Sequence, residues 1–414
     1  MTALDHPPIS STADEPAPTG RTARHWWSLL GRRPDAIADH DAWHGALVKG
    51  AVAYALSRLI VVFGAAAAAA SRVPRPDTAL QPIVDVLTSW DGLWYIDLIL
   101  KGYPRHVIAE VTYFDSEART AFFPLYPAVV RAVDVVLPGG AVTAALLVNL
   151  LLGAVFVWLV GVLTRQLAGP RAAGRAMVLT ALFPGSFVLS FAYSEAVLLA
   201  LAAACLLMLI RRRWLWAGLL AAVATAGRPN AVALVVACGL AAIVAIWKDR
   251  EWKALVAPIL APIGFVAFHL YLWQHTGEFG VWFRVQREAW NEGTSYGTTA
   301  ITRSAEFLMH PFGSATNAIT AMSLVALLIG VWCMWRVKLP LPLWSYSAVV
   351  LVLMLLPATV TARPRFLYTA FPMLIAVAIV WKEDHEDGWA LLVAACAAGL
   401  GILTVLYGVQ AAIP

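Results

Sequence analysis

Between Ala141 and Thr164 the chain runs for 24 residues without a charged side chain, and runs of this kind recur along its length. About 20 apolar residues is the length of helix that crosses a bilayer core of about 30 Å. Within such a core only helices and closed barrels satisfy every backbone polar group. Counting the runs places spans at 47–70, 141–164, 174–191, 193–211, 229–247, 254–274, 312–336, 340–358, 365–381 and 388–411. A shorter run at 214–227 makes about 11. Only 13% of the 414 residues are charged, against roughly a quarter in a soluble domain, so a water-soluble single domain is excluded. The fold class is an all-α polytopic membrane protein. Its 18 tryptophans suit the headgroup level, where one edge of the indole is wet and the other apolar.

The stretch 121–137 is apolar too, but Arg131 and Asp134 interrupt it and it opens on Phe122-Phe123-Pro124-Leu125-Tyr126-Pro127, a poor start for a lipid-facing helix. It reads as an amphipathic helix on the membrane surface. Charge supports that choice. With a cytoplasmic N-terminus the inner segments hold Arg21, Arg24, Arg32, Arg33, Lys49, Arg165, Arg171, Arg175, Arg211, Arg212, Arg213, Lys248, Arg250, Lys253, Arg336, Lys338 and Lys382, 17 of the 30 cations. A crossing at 121–137 would move Arg165, Arg171 and Arg175 outside, against the positive-inside rule.

The chain therefore divides into a cytoplasmic tail, 1–46, and one transmembrane domain, 47–411. The tail is rich in Pro, Ser, Thr, Asp and Glu over its first 23 residues and reads as disordered without a signal peptide. His25-Trp26-Trp27-Ser28-Leu29-Leu30, ahead of Arg32 and Arg33, reads as an interfacial anchor. Two long segments, 71–140 and 275–311, fall on the extracytoplasmic face, and long loops are where function concentrates. Cys205, Cys238, Cys333 and Cys396 lie inside apolar runs without pairing spacing and read as core residues. His40 and His44 stand four apart but lack the Glu of a zinc motif, so no metal site is expected. No nucleotide-binding loop appears and no nucleic-acid partner is expected.

Several constellations carry chemistry. In Ser89-Trp90-Asp91-Gly92-Leu93-Trp94-Tyr95-Ile96-Asp97 a helical wheel gathers Trp90, Trp94 and Asp97 and sets Asp91 beside Tyr95. A carboxylate at such an aromatic boundary is partly desolvated, which raises its pKa and suits a general base acting on a sugar hydroxyl; the other reading is that Asp91 caps the helix. The prolines around Tyr126 fix a helix entry, with Tyr126 either scaffold or cavity lining. Tyr193-Ser194-Glu195, Gly227-Arg228-Pro229-Asn230 and Arg363-Pro364-Arg365-Phe366 place Glu195, Arg228, Asn230, Arg363 and Arg365 at outer span ends. Charges at bilayer depth are functional by default, and guanidinium groups suit a phosphate; snorkelling anchors are the alternative. Gln286 and Trp290 stand one helical turn apart, a pairing common in sugar sites and also in interfacial helices.

Taken in order, Trp90-Asp91 with Gly102-Tyr103, Ala121 to Pro127, Tyr193-Ser194-Glu195, Gly227-Arg228-Pro229-Asn230, Gln286 with Trp290, and Arg365-Phe366 leading to Phe371-Pro372 resemble the PIG-V type of GPI mannosyltransferase II and its bacterial relatives, within the GT-C glycosyltransferase superfamily. The resemblance covers about residues 47–380. It implies a GT-C-like bundle with two amphipathic surface helices in the first extracytoplasmic loop, and an acidic catalytic residue there, Asp91. The chain departs from the family at Arg228-Pro229-Asn230-Ala231, where Arg-Ser-Asn-Gly is usual, and lacks the His that follows Trp-Asp in some eukaryotic relatives.

The implied activity is transfer of a sugar, mannose by resemblance, from a polyprenyl-phosphate donor to an acceptor hydroxyl, with inversion. Asp91 is the base. Arg228, Arg365 and Arg363 hold the donor phosphate, and Trp90, Tyr126, Glu195, Asn230, Gln286 and Trp290 bind substrate. The acceptor is a glycolipid, a lipid-linked glycan or a protein. Lipid phosphate is already a charged leaving group, so no cofactor and no metal is expected. Ala-, Arg- and Trp-rich composition points to a GC-rich bacterium, and thus to a plasma membrane. A flippase for the same lipid, or a non-catalytic subunit binding lipid-linked sugar, is the alternative; transport predicts ionisable groups along the midplane.

Overall fold

The computed structural model describes residues 40–71, 81–290, 293–358, 363–381 and 385–413. The proposed interfacial anchor, Arg21 to Arg33 and Lys382 lie outside these. The elements in chain order are α1 (His40–Ala70), α2 (Gln81–Leu87), α3 (Asp91–Lys101), α4 (Leu125–Asp134), α5 (Gly140–Leu182), α6 (Glu195–Ile210), α7 (Trp214–Thr225), α8 (Val232–Asp249), α9 (Val256–Leu260), α10 (Ile263–Thr276), α11 (Val281–Ala289), α12 (Thr298–Met309), α13 (Ala315–Val337), α14 (Leu341–Leu355), α15 (Pro364–Thr369), α16 (Pro372–Val380) and α17 (Glu386–Gly408). Among the described residues there is no strand, only an isolated bridge between Thr294 and Pro357.

Among the described residues six helical stretches are long and apolar enough to cross a membrane: α1, α5, Pro229–Asp249, Trp252–Thr276, α13 and α17. Helices α6, α7 and α14 are shorter and equally apolar. Spans 141–164 and 174–191 join without a connecting loop. Gly169 takes φ 85°, ψ 179°, non-helical values that Pro170 follows, so the backbone turns there although helix resumes at once. Helix α4, at 10 residues, is about 15 Å long at 1.5 Å per residue, half of a membrane core.

The helix ends that carry the cations expected on the inside meet one another. Arg165 stacks over Trp43, 4.7 Å from its ring centre, and Arg175 donates to the Trp381 carbonyl at 2.8 Å. Trp247, Trp252 and Trp335 stand exposed at helix ends, the placement of an interfacial aromatic belt.

At the opposite end the helices stop short and give way to brief irregular segments. Proline sits in the first turn of four of the restarts: Pro184 opens a 3-10 turn over Pro184–Leu189, Pro229 one over Pro229–Ala231, and Pro364 and Pro372 open α15 and α16. A proline there sacrifices an N–H that a helix start leaves unpaired anyway. The turn at 184–189 is pressed against α15, and a Cβ on Gly185 would collide with the Pro364 carbonyl. These breaks bring residues 183–194, 226–231 and 363–371 together beneath α3.

A candidate active site at one end of the bundle

Glu195 is the hub. It is the first residue of α6, and its side chain is 3% exposed. One carboxylate oxygen accepts from Nε of Arg365, and the other pairs with Nη1 of Arg228 at 2.6 Å. Nη2 of Arg365 reaches Asp91 Oδ2, so Arg365 bridges the two acids. The guanidinium of Arg365 also lies over the Tyr193 ring, 4.5 Å from its centre. Burying four charges costs several kcal/mol of desolvation for each ion, repaid only when every charge is paired. Here two acids match two bases.

The loop that presents Glu195 is fixed from behind. Asn149 of α5 donates to the Phe191 and Tyr193 carbonyls, the latter at 2.8 Å, and the Ala192 amide donates to Leu87 at 2.9 Å. Arg228 also donates to Ser194 Oγ at 3.0 Å, and that hydroxyl shares a 2.6 Å hydrogen bond with Tyr95. Burial pushes the Tyr95 phenol up to about 12, so it keeps its proton across the neutral range.

Asp91 occupies the first position of α3. Trp90, not Asp91, holds the capping position, and the cap has no side-chain hydrogen bond. The Asp91 carboxylate turns to Arg365, which displaces the capping reading. Trp90 takes φ 58°, ψ −123°, a strained conformation for a bulky residue. Its indole N–H anchors to the Tyr407 carbonyl at 3.0 Å. The expected rise in the Asp91 pKa is corrected. Burial pushes it up, but the charge and hydrogen bond of Arg365, with Arg228 behind, outweigh burial and hold it below its ordinary 3.8. Asp91 is thus an ionised carboxylate at rest.

A cavity of about 520 Å³ opens on this cluster, lined by Trp90, Asp91, Arg228, Gln286, Trp290 and Arg365 together with Tyr95, Tyr113, Phe122, Phe123 and Phe366. Six of the residues singled out in the sequence thus share one space, although they come from four separate parts of the chain. Four others do not line it. Glu195 lies beneath the arginines. Tyr126 is fully buried against Tyr95, ring centres 5.0 Å apart, because α4 packs it between α3 and α5. The scaffold reading of Tyr126 therefore replaces the cavity reading. Asn230 sits half-buried in the turn after Pro229, and Arg363, buried at the start of α15, lies outside the lining.

Sequence reasoning missed two features. Tyr113 lies in a segment without helical or strand periodicity, so nothing in its surroundings pointed to the cavity. Arg58, buried inside α1, has no acidic partner among the described residues; it donates to the Ser186 carbonyl at 2.9 Å, to Ser190 Oγ at 2.8 Å and to Ser186 Oγ at 3.1 Å. A lone arginine in an apolar run was the available signal. All four cysteines are buried and unpaired, as core residues.

No family model matches the sequence, and no curated protein does. Structural comparison does find similarity. The structure of ArnT from Cupriavidus metallidurans bound to undecaprenyl phosphate matches with a TM-score of 0.51 at 15% identity, over 87% of this chain and 64% of that one. The same protein in its apo state gives 0.44 at 13% identity, over 77% and 70%. AglB, the oligosaccharyltransferase from Archaeoglobus fulgidus, in complex with an inhibitory peptide and a dolichol-phosphate, gives 0.41 at 13% identity, over 85% and 56%. The chain thus spans about 64% of the length of the ArnT structure first named. What it shares at this identity is the fold: an all-helical, GT-C-like membrane architecture.

Proposed function

We propose that this protein is a membrane glycosyltransferase that moves a sugar from a polyprenyl-phosphate donor to an acceptor hydroxyl on the extracytoplasmic face of a bacterial plasma membrane. The observation that carries the reading is the convergence of Asp91, Arg228 and Arg365 on one cavity. A carboxylate and two guanidinium groups are what displacement at an anomeric carbon with a phosphate leaving group requires. The fold is shared with a structure that holds undecaprenyl phosphate. The PIG-V-like motifs favour mannose as the sugar.

The resting ion pairs suggest how the site is switched on. A donor phosphate arriving at Arg228 and Arg365 competes with Glu195 and Asp91 for the same N–H groups. As Arg365 turns to the phosphate, Asp91 loses the partner that holds its pKa down, and its basicity rises when substrate is in place. Asp91 then takes the proton of the acceptor hydroxyl, the hydroxyl oxygen bonds to the anomeric carbon, and the carbon–oxygen bond to phosphate breaks on the opposite face. Inversion results. The arginines take up the growing charge on the leaving phosphate, so the mechanism assigns no role to a metal.

Transport of the same lipid predicts ionisable groups along a midplane path. The buried cation of α1, Arg58, is instead saturated by serine hydroxyls and a carbonyl. The deciding experiment is turnover of a synthetic polyprenyl-phosphate mannose by the purified, reconstituted chain. Free lipid phosphate and a glycosylated product are expected, and Asp91→Asn should lower the rate by about 10³-fold or more while the protein stays folded. Undiminished turnover by Asp91→Asn refutes the base.

A further inference from the structure

The cavity lining is of two kinds. Its charged residues, Asp91, Arg228 and Arg365, are joined by ion pairs directly and through Glu195, and the remainder is uncharged and largely aromatic. Within that remainder Tyr113, Phe122 and Trp290 come from the two outer loops and pack together as one aromatic wall. Tyr113 meets Trp290 with ring centres 4.7 Å apart at 66°, and Trp290 meets Phe122 at 5.8 Å and 84°. Behind them Trp94 lies edge-on to Tyr113 at 5.4 Å. These edge-to-face contacts are a favourable aromatic geometry, and they leave rings facing the cavity.

The wall is clamped across the loops. Arg284 of α11 grips Glu278 through two 2.7 Å hydrogen bonds and Glu288 at 2.8 Å, and donates to the carbonyls of Ile108 and Val107 at 2.9 and 3.2 Å. Glu288 in turn accepts from the Val111 amide at 3.2 Å, and Trp282 donates to Ala121 at 2.9 Å. The segment carrying Tyr113 and the helix leading to Trp290 are therefore held as one unit. The Tyr113 hydroxyl has no hydrogen-bond partner among the described residues, and Gln286, beside it in the lining, spends only a long 3.5 Å bond on Ala121.

Resting on the proposed function, we propose that Tyr113 and Trp290 form the acceptor subsite and that the acceptor is itself a sugar, a pyranose seated with its C–H face on these rings. The C–H bonds of a pyranose are polarised by the neighbouring oxygens and pack on the negative face of an aromatic ring. Tyr113 and Gln286 supply uncharged polar atoms for the rim of hydroxyls. A phosphorylated headgroup would find no cation on this wall.

The test uses the full chain in lipid nanodiscs. Binding of methyl α-mannopyranoside and of an uncharged tripeptide amide is read by saturation-transfer NMR, and transfer from polyprenyl-phosphate mannose is followed with each as acceptor. The glycoside should bind and serve as acceptor, and the tripeptide should do neither. Tyr113→Ala should raise the KM for the glycoside about tenfold, the size of a lost aromatic contact, with a much smaller fall in kcat. Tyr113→Phe, which keeps the ring and loses only the hydroxyl's hydrogen bond, should raise KM less than the alanine variant does. Tyr113→Leu serves in place of the alanine variant if that one does not purify folded. Equal glycoside binding by wild type and Tyr113→Ala, or use of the tripeptide and not the glycoside, overturns the subsite. Ring-dependent glycoside binding without any turnover would retain the subsite and reject the transferase.

Discussion

Two of the ionic clusters among the described residues lie at opposite ends of the bundle, made of the same residue types and differing in their access to water. At the inner end Arg212 pairs with Asp249 at 2.6 Å and Glu251 at 3.2 Å, and Trp214 donates to Glu251 at 2.8 Å. The three charged side chains are 27–29% exposed. At the outer end Glu195 and Arg365 are 3% and 4% exposed, Arg228 13% and Asp91 29%. Pairs open to water contribute little and are easily exchanged; pairs withdrawn from water must remain matched. The inner cluster ties the turn after α6 to the end of α8. The outer cluster grades from a sealed acid to one that meets a cavity, which is how a charge network becomes a binding site.

That contrast is broken or sharpened by substitution. The largest effect is expected from Glu195→Gln, which leaves Arg228 and Arg365 with one acid between them. Loss of a buried partner costs about 3–5 kcal/mol, and chemical denaturation in detergent should show a drop of that order together with loss of transfer. A milder effect is expected from pH. The Asp91 carboxyl is held below its ordinary 3.8 by Arg365 and Arg228. A group with a lowered folded-state pKa contributes its full stability above the ordinary value and loses it as the pH falls through the lowered one. The free enzyme's kcat/KM should therefore show no acid limb from Asp91 between about pH 5 and 7; a limb near 6 would mean a base with a raised pKa and would break the ion-pair account. The smallest effect is expected at the inner end. Glu251→Gln should change stability by at most about 1 kcal/mol and leave transfer intact. If it cost as much as Glu195→Gln, the distinction between the two ends would collapse.

Much of this was legible in the chain. Long apolar runs gave the spans, since nothing else places 24 uncharged residues in a row, and the Arg131–Asp134 interruption excluded a crossing at 121–137. The candidate residues were legible as charges at span ends. Their partners were not. That Glu195 would seal both arginines depends on how the segments broken at Pro184, Pro229 and Pro364 fold over one another, and proline marks the break without giving its direction. The pKa of Asp91 was misjudged for the same reason: desolvation is local and readable beside tryptophans, whereas Arg365 lies 274 residues away in the chain. Tyr126 was open to either role, scaffold or cavity lining, because the prolines around it fix where the helix begins and not which way it faces; α4 turns it inward. Tyr113 sits in a segment that repeats no period, so only the fold shows what it faces.

The most direct test of the account is a structure of the chain with a non-hydrolysable polyprenyl-phosphonate sugar. The account predicts the phosphonate within about 3 Å of guanidinium nitrogens from both Arg228 and Arg365, the Asp91–Arg365 pair opened, and the Asp91 carboxylate facing the anomeric carbon from the side away from phosphorus. A phosphonate bound elsewhere, with Asp91 still locked to Arg365, would contradict it.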